Sequence, residues 1–303
     1  MINMFVILMY SSLFSAGMES TDTPQHDSNP QELIVCGWDE VYVLDTAGES
    51  LSAPPKTWSW KGKECRTLPE KHRGLFGSTD DCKPIDRGNQ ILISSSASGV
   101  ALVERKTRQA LFYANVKNAH SVEMLPGRRI VVAASTNPEG NRLVLFDASQ
   151  SDKPLWHDEL YSAHGVVWDT QRQILWALGY DQLRAYHLAA WKSATPKLER
   201  IATYVLPDKQ GHDLQAIPKD NNLLITTHHH VYLFDRERHT FTLHPLLKDK
   251  ERVKSVSING KTGQLAYTQA EGQNWWTEHI HFLNPSRTVF LPGERIYKVR
   301  WNK

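Results

Sequence analysis

The sequence predicts an all-β fold: a six-bladed β-propeller whose last blade joins the two ends of the chain. Three observations predict it. One sequence unit recurs with a histidine at the same place, as Asn-Ala-His120-Ser-Val, Ser-Ala-His164-Gly-Val and Gln-Gly-His212-Asp-Leu, 44 and 48 residues apart. Each histidine opens the same series of a short apolar stretch, a turn, a β-rich run and a further strand. Extended in both directions, the repeat length is roughly 38 to 48 residues, the range of four-stranded propeller blades.

The elements follow in order. The first copy reads Asp81-Cys82-Lys83-Pro-Ile, then a turn at Asp86-Arg-Gly-Asn and the strands Ile91-Leu-Ile and Val100-Ala-Leu-Val. The His120 copy turns at Leu-Pro126-Gly-Arg and continues with Ile130-Val-Val and Leu143-Val-Leu-Phe. The His164 copy turns at Trp-Asp169-Thr-Gln before Ile174-Leu-Trp and Leu183-Arg-Ala-Tyr. The His212 copy turns at Ile-Pro218-Lys-Asp before Leu223-Leu-Ile and Val231-Tyr-Leu-Phe. A fifth begins at Val-Lys254-Ser-Val-Ser and continues through Leu265-Ala-Tyr and His279-Ile-His-Phe. The segment from Leu33 to Asp45 holds second and third strands with no first strand before them, whereas Tyr297 to Trp301 is a first strand with nothing after it. Joined, they make the sixth blade and remove the free sheet edges of an open array.

Length alone would permit two domains, but the circular repeat binds 32–303 into one. The 35 basic and 33 acidic residues give no strong field, which argues against nucleic acid as a partner. The expected chain is a monomer. Ten Trp are many for this length, and Trp168, Trp176 and Trp301 read as blade packing. Residues 1–17 form an apolar segment ending in small residues, as an export signal would, with cleavage near Ala16 or Gly17 and without the usual early Lys or Arg. The segment is too short for a comfortable membrane span, so the mature chain is expected to be exported and to carry none. Residues 18–31 are polar and read as a flexible leader. Of three cysteines, Cys65 and Cys82 flank one connector and could pair in an oxidising compartment, leaving Cys36 in a strand.

The register sorts residues by face. In a propeller the first strand of each blade lines the central channel, and the connection entering it shares a face with the turn between second and third strands. His120, His164, His212, Lys254 and, near the ends of the register, Tyr297 and Cys82 should ring the channel mouth. Turns on that face carry Trp38, Asp39, Asn137, Glu139, Tyr180, Asp181, His228, His229, Trp275 and Trp276. Lys83 and the connector residue Arg73 are added as cations for a ligand, Arg73 on a loop that forms either a basic lid or a solvated surface. Imidazoles near their ordinary pKa can move protons at neutral pH, with Lys254 or Tyr297 as anion stabiliser or complementary acid. Those groups suit β-elimination from a uronic acid; a glycosidase would more usually show paired carboxylates. His120, His164 and His212 could also hold one divalent metal ion, although none of the close spacings that identify a metal site is present. The rim aromatics suit a sugar ring, so a carbohydrate ligand is expected.

On Asp-Cys82-Lys83-Pro, His120-Ser-Val-Glu-Met-Leu-Pro, His164-Gly-Val-Val-Trp-Asp and Gly-His212-Asp-Leu, residues 31–303 resemble secreted bacterial six-bladed propellers of uncharacterised function. That resemblance implies the fold and export but no reaction. More loosely, the chain is similar to propeller polysaccharide lyases and glycosidases with a histidine, sometimes with a metal, in the channel mouth; fold alone does not establish activity. Three functions are therefore expected in order: an exported carbohydrate-active lyase or hydrolase, a non-catalytic glycan- or protein-binding propeller, and a metal-dependent hydrolase or lactonase.

Overall fold

The computed structural model describes residues 31–47 and 54–302, so the expected export signal and nearly all of the leader lie outside the described residues. Six antiparallel four-stranded sheets form a ring, the six-bladed propeller. Blades 1 to 5 begin with the inner strands Thr79–Ile85, Ala119–Leu125, Gly165–Asp169, Asp213–Ala216 and Val253–Ile258. Blade 6 takes its inner strand, Lys298–Trp301, from the end of the chain and its other three, Glu32–Gly37, Glu40–Asp45 and Lys56–Trp60, from the beginning. The seam is an antiparallel ladder in which Leu33 faces Trp301 and Cys36 faces Lys298.

The packing follows from strand chemistry. The middle strands, such as Arg129–Ala134 and Leu33 to Cys36, are apolar on both faces because each blade is covered by two neighbours. Their side chains fill six apolar clusters, mostly between successive blades. Trp176 and Trp301 are fully buried there, in line with packing. Among the described residues no helix is long and apolar enough to cross a membrane.

Three inner strands carry a β-bulge at the same end. Pairing skips from Thr79 to Asp81, from Ala119 to Ser121 and from Val253 to Ser255, leaving Asp80, His120 and Lys254 as the extra residues. A bulge frees one residue from the ladder and re-aims its side chain. At the corresponding positions His164, His212 and Tyr297 keep a backbone N–H bond to the next strand, to Leu178, Thr226 and Cys36 carbonyls respectively. Blade 1 therefore contributes Asp80 to the mouth, not Cys82, because the bulge displaces its register. Cys82 is buried in the apolar cluster between blades 6 and 1. All three cysteines are free: the Cys65 thiol lies on the Thr67 hydroxyl and the Arg108 carbonyl, and the thiol beside Cys82 is that of Cys36.

Candidate functional site

The mouth of the channel gathers Asp80, His120, His164, His212, Lys254 and Tyr297 into one continuous cluster. His120 and His164 stack with ring centroids 4.3 Å apart, and His212 meets His164 edge-on at 5.5 Å. Tyr297 lies 6.2 Å from the His120 ring. The three histidines expected from the repeat thus lie side by side.

Hydrogen bonds set the tautomers. His120 Nδ1 is 2.7 Å from Asp80 Oδ1, and His164 Nδ1 is 2.8 Å from the Ser162 carbonyl. Both oxygens accept, so each Nδ1 carries a proton, and neither Nε2 has a hydrogen-bond partner among the described residues. His212 differs. Its Nε2 accepts from Lys254 Nζ at 3.0 Å, which leaves its buried Nδ1 without a partner.

Burial shapes the titration of the cluster. Desolvation, then the charges of His120, Lys298 and Lys254, hold His164 well below the ordinary histidine range. Desolvation and Lys254 do the same to His212. Burial, with Arg252 and Lys298 nearby, brings Lys254 down to about 8. Burial first, then Asp80 and Asp213, raises the Tyr297 phenol well above its usual value, so it remains an O–H donor. At neutral pH the floor therefore offers the neutral imidazoles of His164 and His212 beside a cation and a phenol.

A buried charge network supports this floor. Arg300 donates from Nε to Asp81 at 2.9 Å and, through its two terminal nitrogens, to both oxygens of Asp213 at 3.0 and 2.7 Å. Lys298 reaches the carbonyls of His120 and His212, at 3.4 and 3.2 Å, and Asp213 at 3.3 Å. All four side chains are buried. Burial pushes the Asp81 carboxyl up, but Arg300, Lys83, Lys298 and the Ser121 hydroxyl outweigh it and hold it at about 2. The closing strand of blade 6 thereby plugs the channel and ties blades 1, 2 and 4 together beneath the imidazoles.

The rim is aromatic on the side of blades 5 and 6. Trp38 and Trp275, in turns of adjacent blades, stack at 5.6 Å, and Trp275 meets Tyr297 edge-on at 5.4 Å. Tyr180, in the turn between the second and third strands of blade 3, lies against the exposed Tyr161, in the connection that leads to His164, with 5.4 Å between centroids. His228 is held below its usual pKa by burial first, then by His229 and Lys254; His229 is exposed, 3.9 Å from Glu251.

The other expected ligand contacts have partners of their own within the protein. Lys83 turns toward the opposite end of the channel, where its Nζ binds Glu123 at 3.0 Å and the Val166 carbonyl and lines a cavity of about 240 Å³ with Trp168, Gln215 and Arg300. Arg73 bonds the Leu68 and Arg66 carbonyls of its own connector, which runs along the outer strand of blade 1. Glu139 is exposed beside Lys71 and Asp152 on the flank between blades 1 and 2, and Asn137 Oδ1 accepts the Glu139 N–H within a turn. Asp39 pairs with Lys61 at 3.7 Å, and the Asp181 carbonyl accepts the Leu206 N–H.

The imidazoles are not placed as a metal set: among the described residues no three His, Cys, Asp or Glu side chains are grouped to hold an ion. His120 and His164 stack face to face, and the Lys254 ammonium occupies the His212 lone pair, an arrangement that opposes a second cation. Asp80 and Tyr161 are among the functional candidates that the sequence repeat did not reveal. Asp80 could have been found by placing the bulge one residue after Thr79. The model of DUF6528, a family of unknown function, matches residues 49–303. No curated protein matches the chain.

Proposed function

The chain belongs to the DUF6528 family of unknown function, and we propose that it is a carbohydrate-active enzyme that cleaves an acidic glycan by β-elimination at the channel mouth. The observation that carries this reading is the Asp80–His120 pair, which orients the imidazole with its Nε2 free of hydrogen-bond partners among the described residues, beside His164, Lys254 and Tyr297. The ring holds a base, a cation and a hydroxyl acid, the three groups that the elimination needs.

In this mechanism Lys254 binds the carboxylate of a uronic acid residue and lowers the energy of the carbanion formed beside it. His120 Nε2 takes the C5 proton. The electron pair forms the C4–C5 double bond as the C4–O bond to the next sugar breaks, and the Tyr297 hydroxyl gives a proton to the departing oxygen. Proton transfer from His120 to Tyr297 through solvent restores both groups. Asp80 stabilises the imidazolium formed in the first step, as a charge-assisted hydrogen bond partner.

Hydrolysis by a carboxylate pair has less support at this floor. Asp80 is committed to His120 and the Ser96 N–H, while Asp81 and Asp213 lie buried on Arg300. The test is a panel of acidic and neutral polysaccharides, followed by ultraviolet absorbance of unsaturated ends and by total reducing ends. Unsaturated ends from acidic polymers support elimination. Reducing ends without unsaturation would make it a hydrolase, and retained binding without new ends would make it a binding module.

A further inference from the structure

The rim carries a cation that the floor chemistry does not use. The Arg295 guanidinium lies 4.2 Å from the Trp38 ring centroid and 5.4 Å from that of Trp276. Two indoles thus lie against the guanidinium, whereas its N–H donors have no hydrogen-bond partner among the described residues. The nearby acids are already engaged: Glu294 and Glu40 with Lys56, at 2.7 and 3.0 Å, and Asp39 with Lys61.

Two backbone features fix this arrangement. Trp38 takes the left-handed region, φ 50°, as the first residue of the two-residue turn between Glu32–Gly37 and Glu40–Asp45, the backbone such a tight hairpin requires. Beside it, a Cβ on Gly37 would fall 1.9 Å from the Arg295 carbonyl oxygen, so only glycine lets the Arg295 backbone approach this closely. Stacking restrains a side chain that would otherwise be mobile, and the planar fork it leaves open matches a carboxylate or sulfate.

We infer that Arg295 is an acid-recognition residue on the rim, binding a carboxylate or sulfate on a sugar other than the one that reacts. The inference rests on the glycan reading of the floor and extends it. The Trp38, Trp275 and Tyr297 rings separate Arg295 from the imidazoles. With these rings between them, Arg295 and Lys254 suit acidic groups on different residues of one chain. The substrate class is therefore a polyanionic glycan, with its chain running from the floor across Tyr297 and Trp275 to the rim.

The test compares wild type, Arg295→Gln and Arg295→Lys by calorimetric titration with a galacturonate tetramer and its neutral methyl ester. Arg295→Gln should weaken binding of the acid about tenfold or more, the loss expected for a charge-assisted hydrogen bond, and leave the ester unchanged. Arg295→Lys should restore part of the acid affinity, because it keeps the charge without the fork. Equal losses for acid and ester, or no loss for the acid, would overturn the assignment. A parallel titration with sulfate at constant ionic strength, read by tryptophan fluorescence, separates the two readings. If wild type binds neither oligosaccharide, the glycan reading fails, and the anion site stands only if sulfate changes wild-type fluorescence and not that of Arg295→Gln.

Discussion

Asp80 Oδ1 lies 2.7 Å from His120 Nδ1, and both residues are the bulged members of adjacent inner strands. The bulges release the two side chains from the ladder at the same height and let a blade 1 carboxylate orient a blade 2 imidazole. The fold thereby fixes which imidazole nitrogen faces the basin.

Nitrogen NMR of the histidine rings should show His120 and His164 protonated on Nδ1 at neutral pH. Asp80→Asn should abolish that preference at His120 and lower kcat/KM by about 10²-fold or more, the usual scale of an oriented base. An unchanged ring signature would remove Asp80 from the mechanism.

Stability should rise with pH below the ordinary histidine range. His164 and His212 have lowered folded pKa values, so the unfolded chain binds protons that the folded one does not as pH falls below about 6.5. Each contributes a slope of up to about 1.4 kcal/mol per pH unit until its own folded pKa is reached. Urea unfolding across pH 5 to 7 checks this, and the slope should shrink in a His164→Asn, His212→Asn double variant.

Lys254→Met should make the protein more stable at neutral pH and less able to bind anions. Bringing an ammonium from an ordinary 10.5 down to about 8 corresponds to a cost of about 3 kcal/mol for the charged form, which a buried methionine avoids. The advantage should fade as pH rises from 8 through 10.5, where the folded lysine is already neutral. Thermal melts at pH 7 and above pH 10 measure it, and equal melting temperatures at pH 7 would contradict the burial of charge.

The plug should behave oppositely. Arg300→Met leaves Asp81 and Asp213 buried without their main partner, at a cost of about 3 to 5 kcal/mol. The Asp81 contribution itself, about 2 to 3 kcal/mol, is fully present above its unfolded value of 3.8 and is lost as pH falls through about 2. Denaturant midpoints of wild type and Arg300→Met at pH 6 decide the first point, and acid titration of unfolding decides the second.

The fold was legible because repetition restates the blade pattern, and the unmatched strands at Leu33 and Tyr297 revealed the closure. His120, His164 and His212 were legible for the same reason. Asp80 was not, because a bulge adds a residue without changing the alternation that follows it. Lys298 and Arg300 were concealed differently: their strand was legible as the inner strand of the closing blade, but their partners Asp81 and Asp213 lie on other blades, a relation with no local sequence signal. Lys83, three residues down its strand from Asp80, shows the limit of assigning a face from adjacency, since a few positions carry a side chain to the other end of the channel. Arg295 was missed because its partners are aromatic faces on other turns, a relation with no local sequence signal.

The most direct test of the central claim is the rate of unsaturated product formation from an acidic polysaccharide by wild type and His120→Gln, each shown to be folded by its thermal melt. The account predicts that wild type forms the unsaturated ends and that His120→Gln, with the fold intact, does not. Equal rates in the two proteins, or no unsaturated product from any acidic polymer with wild type, would contradict it.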